Sequence, residues 1–119
     1  MPVRSLNSSV LKWPNREKVD RAVREWIRIE SAKHAGLCRL AYFGSYARGD
    51  WGVGSDLDLV AIVKDATEPF YRRALGWDLS GLPVPVDLLV YTLAEWDQLT
   101  AGKSLLARTL EREAIWVFP

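Results

Sequence analysis

Cysteine and histidine each occur once in this chain, and charge of one sign is not in excess: 16 Lys and Arg stand against 15 Asp and Glu. The lone Cys38 excludes an internal disulfide and any cysteine-built metal cluster, and it fits a reducing, cytoplasmic setting. A net charge of +1 removes the electrostatic case for strong, non-specific binding to nucleic acid. No apolar run approaches the roughly 18–20 residues of a membrane span, and the opening MPVRSLNSSV lacks the apolar stretch of a secretory leader. Repeats and low-complexity linkers are missing too. What remains, with 49% hydrophobic and 26% charged residues over 119 positions, is read as one globular domain, 1–119, with material for one core.

The pattern along the chain predicts alternating helices and strands. Asn15 is a helix N-cap, followed at helical spacing by Val19, Ala22, Val23, Trp26, Ile27 and Glu30, with Arg16, Lys18, Arg21, Arg24, Glu25 and Arg28 facing outward. Gly36 closes that helix. Leu37–Phe43 reads as a strand, 44–49 as a turn entering a brief helix, and Leu57–Val63 as the most apolar and central strand. A helix is expected over Glu68–Leu79, capped by Thr67. Pro85–Tyr91 is the third strand. Thr92 and Glu95 form a capping box for a helix to about Ala101, a further helix covers Lys103–Glu111, and Ala114–Phe118 is a closing edge strand. This order gives an α/β fold of the α+β type, with helices packed on a mixed sheet of about four strands.

Three aspartates interrupt this apolar pattern. Asp56 and Asp58 are two apart, so their side chains share one face at the start of the central strand. Asp87 interrupts VPVDLLVY. If the two strands are neighbours, the three carboxylates converge, and like charges at close range raise one another's pKa unless a cation balances them. An all-oxygen donor set favours Mg²⁺ or Mn²⁺ over zinc. Taken singly, each aspartate could instead cap a turn or pair with an arginine; the combination points to the metal.

Upstream, Gly44 permits unusual dihedrals and close backbone approach, Ser45 begins a short helix whose N–H groups suit an anion, and Arg48 follows. Seen alone, Gly-Ser is an ordinary strand-to-helix turn. Joined to Asp56 and Asp58 it describes a phosphate cradle facing a metal site, as a nucleoside triphosphate with bound Mg²⁺ requires.

The stretch GSYARGDWGVGSDLDL, with Gly-Ser, a spacer and Asp-x-Asp, resembles the signature of the DNA polymerase beta-like nucleotidyltransferases. It is especially similar to their minimal members, small proteins often paired with a HEPN-domain toxin. The resemblance implies the polymerase-beta-like nucleotidyltransferase fold, with Gly44, Ser45 and Arg48 on the triphosphate and Asp56, Asp58 and Asp87 as catalytic ligands of two Mg²⁺ ions. It further implies transfer of AMP from ATP to a hydroxyl, a tyrosine of a partner HEPN toxin, with this chain as antitoxin of a type VII-like pair. Two other readings stay open: a small-molecule nucleotidyltransferase like the aminoglycoside-modifying relatives, and a non-catalytic subunit that neutralises a partner by surface contact.

Other residues carry two readings each. Trp51 could stack on a base or pack in its loop; Trp77, on a helix, reads as core. His34 reads as a helix-dipole partner, Arg72 and Arg73 as a solvated face, and Cys38 as a small core hydrophobe. Trp96, Leu99, Leu105, Leu106 and Trp116 either pack the core or mark a homo-oligomer or partner surface.

Overall fold

The computed structural model describes residues 13–119; the polar opening stretch, 1–12, over which the sequence predicts no leader, lies outside them. Asn15 caps α1 (Arg16–Glu30) with extended backbone, its side chain accepting the Lys18 N–H at 2.9 Å. Val19, Val23, Trp26 and Ile27 fall on one stripe and are buried, as helical spacing requires. Glu30 ends the stripe with only 3% of its surface exposed. A carboxylate buried there needs partners. It has the His34 ring at 2.9 Å, the Lys33 ammonium at 3.4 Å and the Asp78 backbone N–H at 3.1 Å. Burial pushes its pKa up, but these donors outweigh that and hold it below the usual value. His34 also stacks on Trp77 with ring centroids 3.8 Å apart, so it has a specific carboxylate partner in place of the diffuse helix-end role expected.

The four strands are β1 (Leu37–Phe43), β2 (Leu57–Val63), β3 (Val86–Thr92) and β4 (Ile115–Phe118), in the spatial order β3-β2-β1-β4. β1 runs antiparallel to β2 and β4, while β2 and β3 are parallel, which makes the sheet mixed as expected. β2 is interior and nearly all buried, in keeping with its continuous apolar run.

Strand alternation divides the core. Leu40, Tyr42, Leu57, Leu59, Ala61, Leu88 and Val90 cluster with the α1 stripe on one side. Ala41, Val60 and Ile62 face the other side, with Leu110. That second side is covered by α4 (Leu93–Ala101) and α5 (Leu105–Glu113). The Thr92–Glu95 capping box starts α4 as predicted, with both reciprocal hydrogen bonds made.

Several expectations need correction. The helix over 68–79 contracts to α3 (Phe70–Arg73) and a 3₁₀ turn at Ala74–Gly76, and Pro69, not Thr67, holds the cap position. Proline suits only the start of a helix and pushes the residue before it out of helical conformation, so nothing upstream of Pro69 can join. α2 is the short helix Ser45–Arg48. Arg73 does not lie on a solvated face: its guanidinium is largely buried, 2.6 Å from Glu95 and 3.0 Å from the Val90 carbonyl. Glu95 answers with a carboxyl pulled down to about 2, the Arg73 hydrogen bond being the main cause. α5 starts later than Lys103, because Lys103 adopts φ +51° and Ser104 supplies the cap, accepting the Ala107 N–H at 3.1 Å. Cys38 is only half-buried, at the sheet margin rather than in the core, its thiol 3.5 Å from the Gly36 carbonyl.

Candidate active site

The parallel register of β2 and β3 sets Asp58 directly beside Asp87, on adjacent strands that ordinarily lie about 4.8 Å apart. Asp56 comes immediately before β2, anchored where the Leu57 N–H meets the Pro85 carbonyl at 2.8 Å. All three follow the parity of Val60 and Ile62 and so belong to the α4–α5 side of the sheet. Asp56 and Asp87 are exposed, while Asp58 is half-buried. Its carboxyl is pushed above the usual range, first by burial and then by the charges of Asp87 and Asp56; Arg48 partly opposes this and Glu113 adds to it. The sequence anticipates this convergence on the condition that the two strands are neighbours, and β2 and β3 are.

Gly44, at the end of β1, caps α2 with φ +78° and ψ −153°, a conformation that only glycine takes without strain. A Cβ here would fall 3.2 Å from the Asp58 Cγ, with Oδ2 nearer still. The backbone therefore lies directly against the carboxylate, and any side chain would fill the space between turn and aspartate. Tyr46 fixes the turn from below. It is fully buried, its hydroxyl donates to the Pro14 carbonyl at 3.0 Å, and it accepts the Trp13 indole N–H at 3.0 Å. Trp51 lies parallel to the Tyr46 ring at 5.7 Å, so packing accounts for it. Ser45 sits at the first position of α2.

Arg48 does not project freely toward this space. It pairs with Asp50 and Glu113, both at 3.1 Å. Glu113, the last residue of α5, also accepts the Gly44 N–H at 2.7 Å, with its side chain only 10% exposed. Sequence reasoning missed this fourth carboxylate. Its one signal is an acidic residue between a helix and the closing strand, which looks like an ordinary solvated helix end.

All of these donors are oxygens, and their mutual repulsion is visible at Asp58, so the set suits a hard divalent cation. Among the described residues, no group of three or more acidic, histidine or cysteine side chains is placed to hold a metal ion. Mg²⁺ ordinarily takes one or two carboxylates and completes its shell with water and substrate phosphates. The open, acidic edge next to a glycine turn suits a ligand that brings its own metal and its own charge. Among the described residues no helix is long and apolar enough to cross a membrane.

Comparison with solved structures finds the same architecture. A Sulfolobus solfataricus protein described as a nucleotidyltransferase aligns at 23% identity over 76% of this chain and 79% of its own, with a TM-score of 0.58. A toxin–antitoxin structure with AMP-PNP aligns at 19% identity, covering 82% of this chain and 71% of that one, at 0.56. A mutant of the toxin–antitoxin MntA–HpeT aligns at 19% over 88% and 73%, at 0.51. No curated protein matches the sequence. The model of the nucleotidyltransferase domain matches residues 19–117, a span that takes in most of α1, the whole of β1, β2 and β3, most of β4, the Gly44–Ser45 turn and every carboxylate described above, and the chain belongs to that family.

Proposed function

We propose that this chain transfers AMP from ATP, with Mg²⁺, to a hydroxyl on a partner protein. The observation that carries the reading is the pairing of Asp58 with Asp87 beside the side-chain-free surface of Gly44. In this reading Asp56 and Asp58 hold the metal, Asp87 completes the set, and the Gly44–Ser45 turn and Arg48 bind the triphosphate. Two Mg²⁺ ions, when bound, supply charge stabilisation at the attacking and leaving oxygens. The chain's own residues then have distinct tasks. The turn holds the polyphosphate in line by backbone contact, since no Cβ stands between it and Asp58. Asp87, exposed at the mouth, accepts the proton of the incoming hydroxyl on a carboxylate oxygen as that hydroxyl attacks the α-phosphorus and pyrophosphate departs.

The nature of the acceptor draws on the neighbours. Two of them are toxin–antitoxin structures, one with AMP-PNP, which supports an antitoxin that modifies its toxin. A HEPN-domain toxin and its tyrosine are the partner and acceptor implied by the sequence resemblance. Co-expression with the neighbouring gene product, followed by intact-mass measurement after ATP and Mg²⁺, tests this. A gain of one AMP that disappears with Asp56→Ala supports it; tight association with no mass gain would instead make the chain a non-catalytic binder. Asp87→Ala should lose transfer while still binding nucleotide, and parental activity in that variant would refute the proton-accepting role.

A further inference from the structure

The carboxylate of Glu113 is held in an unusual place. It lies 69 positions along the chain from Gly44, yet it accepts the Gly44 N–H at 2.7 Å and the Arg48 guanidinium at 3.1 Å, with 90% of its side chain covered. Gly44 is thereby gripped on both sides, by Glu113 at its amide and by Asp58 against its α-carbon. Bonds to an ionised acceptor are roughly twice as strong as neutral ones, and a left-handed glycine turn keeps its shape only when its surroundings hold it. Glu113 also adds negative charge beside Asp58, which works against a polyphosphate. A carboxylate at this position opposes ligand charge, so its benefit must come from the geometry it imposes.

We propose that Glu113 is a positioning residue for nucleotide binding: from the end of α5 it fixes the Gly44–Ser45 turn and the orientation of Arg48, so that the C-terminal helix and strand hold the triphosphate cradle in register with Asp58. This rests on the nucleotidyl-transfer reading of the same site. Because α5 passes directly into β4, which pairs with Leu40–Tyr42 of β1, the C-terminal half of β1 and the turn that follows it answer to the same C-terminal segment.

The test is calorimetry with Mg²⁺ and an α,β-methylene ATP analogue on wild type, Glu113→Ala and Glu113→Gln, with the Gly44 amide followed by NMR and folding by thermal melting. Glu113→Ala should weaken binding about 10- to 100-fold, the range of one or two charge-assisted hydrogen bonds, and shift the Gly44 amide resonance. Glu113→Gln keeps an acceptor oxygen and should recover about half of that loss on a logarithmic scale. A purely structural role would lower the melting temperature of both variants and leave their affinities alike, which overturns the proposal, as does an Ala variant that binds like wild type. If Glu113→Ala fails to fold, an unchanged dissociation constant in Glu113→Gln overturns it alone. Failure of the wild type to bind is a separate result: it removes the nucleotide reading itself, and this proposal with it.

Discussion

On the α1 side of the sheet, Val19, Val23 and Ile27 close over Leu40, Tyr42, Leu57 and Leu59, each of them nearly inaccessible to solvent. On the α4–α5 side, Ala41, Val60, Ile62 and Leu110 form a smaller buried cluster, and Trp96, Leu106 and Trp116, packed against it, are themselves only partly buried. The carboxylates lie on this thinner side. The division has a physical cause. An ionised group needs water, a cation or hydrogen bonds, and a dry core would force it to neutralise. The residues that stabilise the fold therefore concentrate on one side of β2, and the residues that destabilise it until a ligand arrives concentrate on the other. The alternation of a single strand separates Leu57 and Leu59 from Asp58 with no other device.

Breaking each side in turn should give opposite signatures. The largest effect is expected from Asp58→Ala, which should cut nucleotidyl transfer about 100- to 1000-fold, the loss typical of one electrostatic contributor, while the melting temperature of the ligand-free protein holds or rises. An intact transfer rate would remove the acidic side from the chemistry. On the opposite side, Ile27→Ala should lower stability by about 2–5 kcal/mol in chemical denaturation and leave the dissociation constant for Mg-nucleotide unchanged. Gly44→Ala spans the comparison: strain at a positive φ costs about 1–3 kcal/mol, and the new Cβ displaces Asp58, so stability and binding should fall together.

The smallest effect is in pH dependence. Burial and the neighbouring aspartates raise Asp58 in the folded state. Its contribution is thus fully present below its unfolded value of 3.8 and fades as the pH rises through the folded value. Glu95, held at about 2 chiefly by Arg73, behaves oppositely: its contribution is present above its unfolded 4.5 and fades as the pH falls toward about 2. Thermal melts of Asp58→Asn and Glu95→Gln across this range should each remove one slope, with opposite signs.

The helix stripe of α1, the four strands, the Thr92 capping box and the shared face of Asp56 and Asp58 were legible because each depends on spacing within one segment; that Asp87 joins them was legible only on the condition that its strand neighbours β2. The helix over 68–79 misled because its apolar spacing counted for less than the proline inside it. Arg73 looked solvated because its partner, Glu95, lies 22 positions away. Glu113 carried no local signal that set it apart from a solvated helix end, since its meaning comes from Gly44, 69 positions earlier.

By itself the sequence determined where the strands and most of the helices form, which face of β2 bears acid, and which turn must be glycine, because alternation, caps and dihedral limits act over a few residues. Tertiary structure alone decided that Asp87 stands beside Asp58 in register, that Glu30 is buried yet satisfied, and that α5 reaches back to grip the Gly44–Ser45 turn. Those outcomes depend on which distant segments come into contact, and pairing across long loops is selected by the packing of the whole chain.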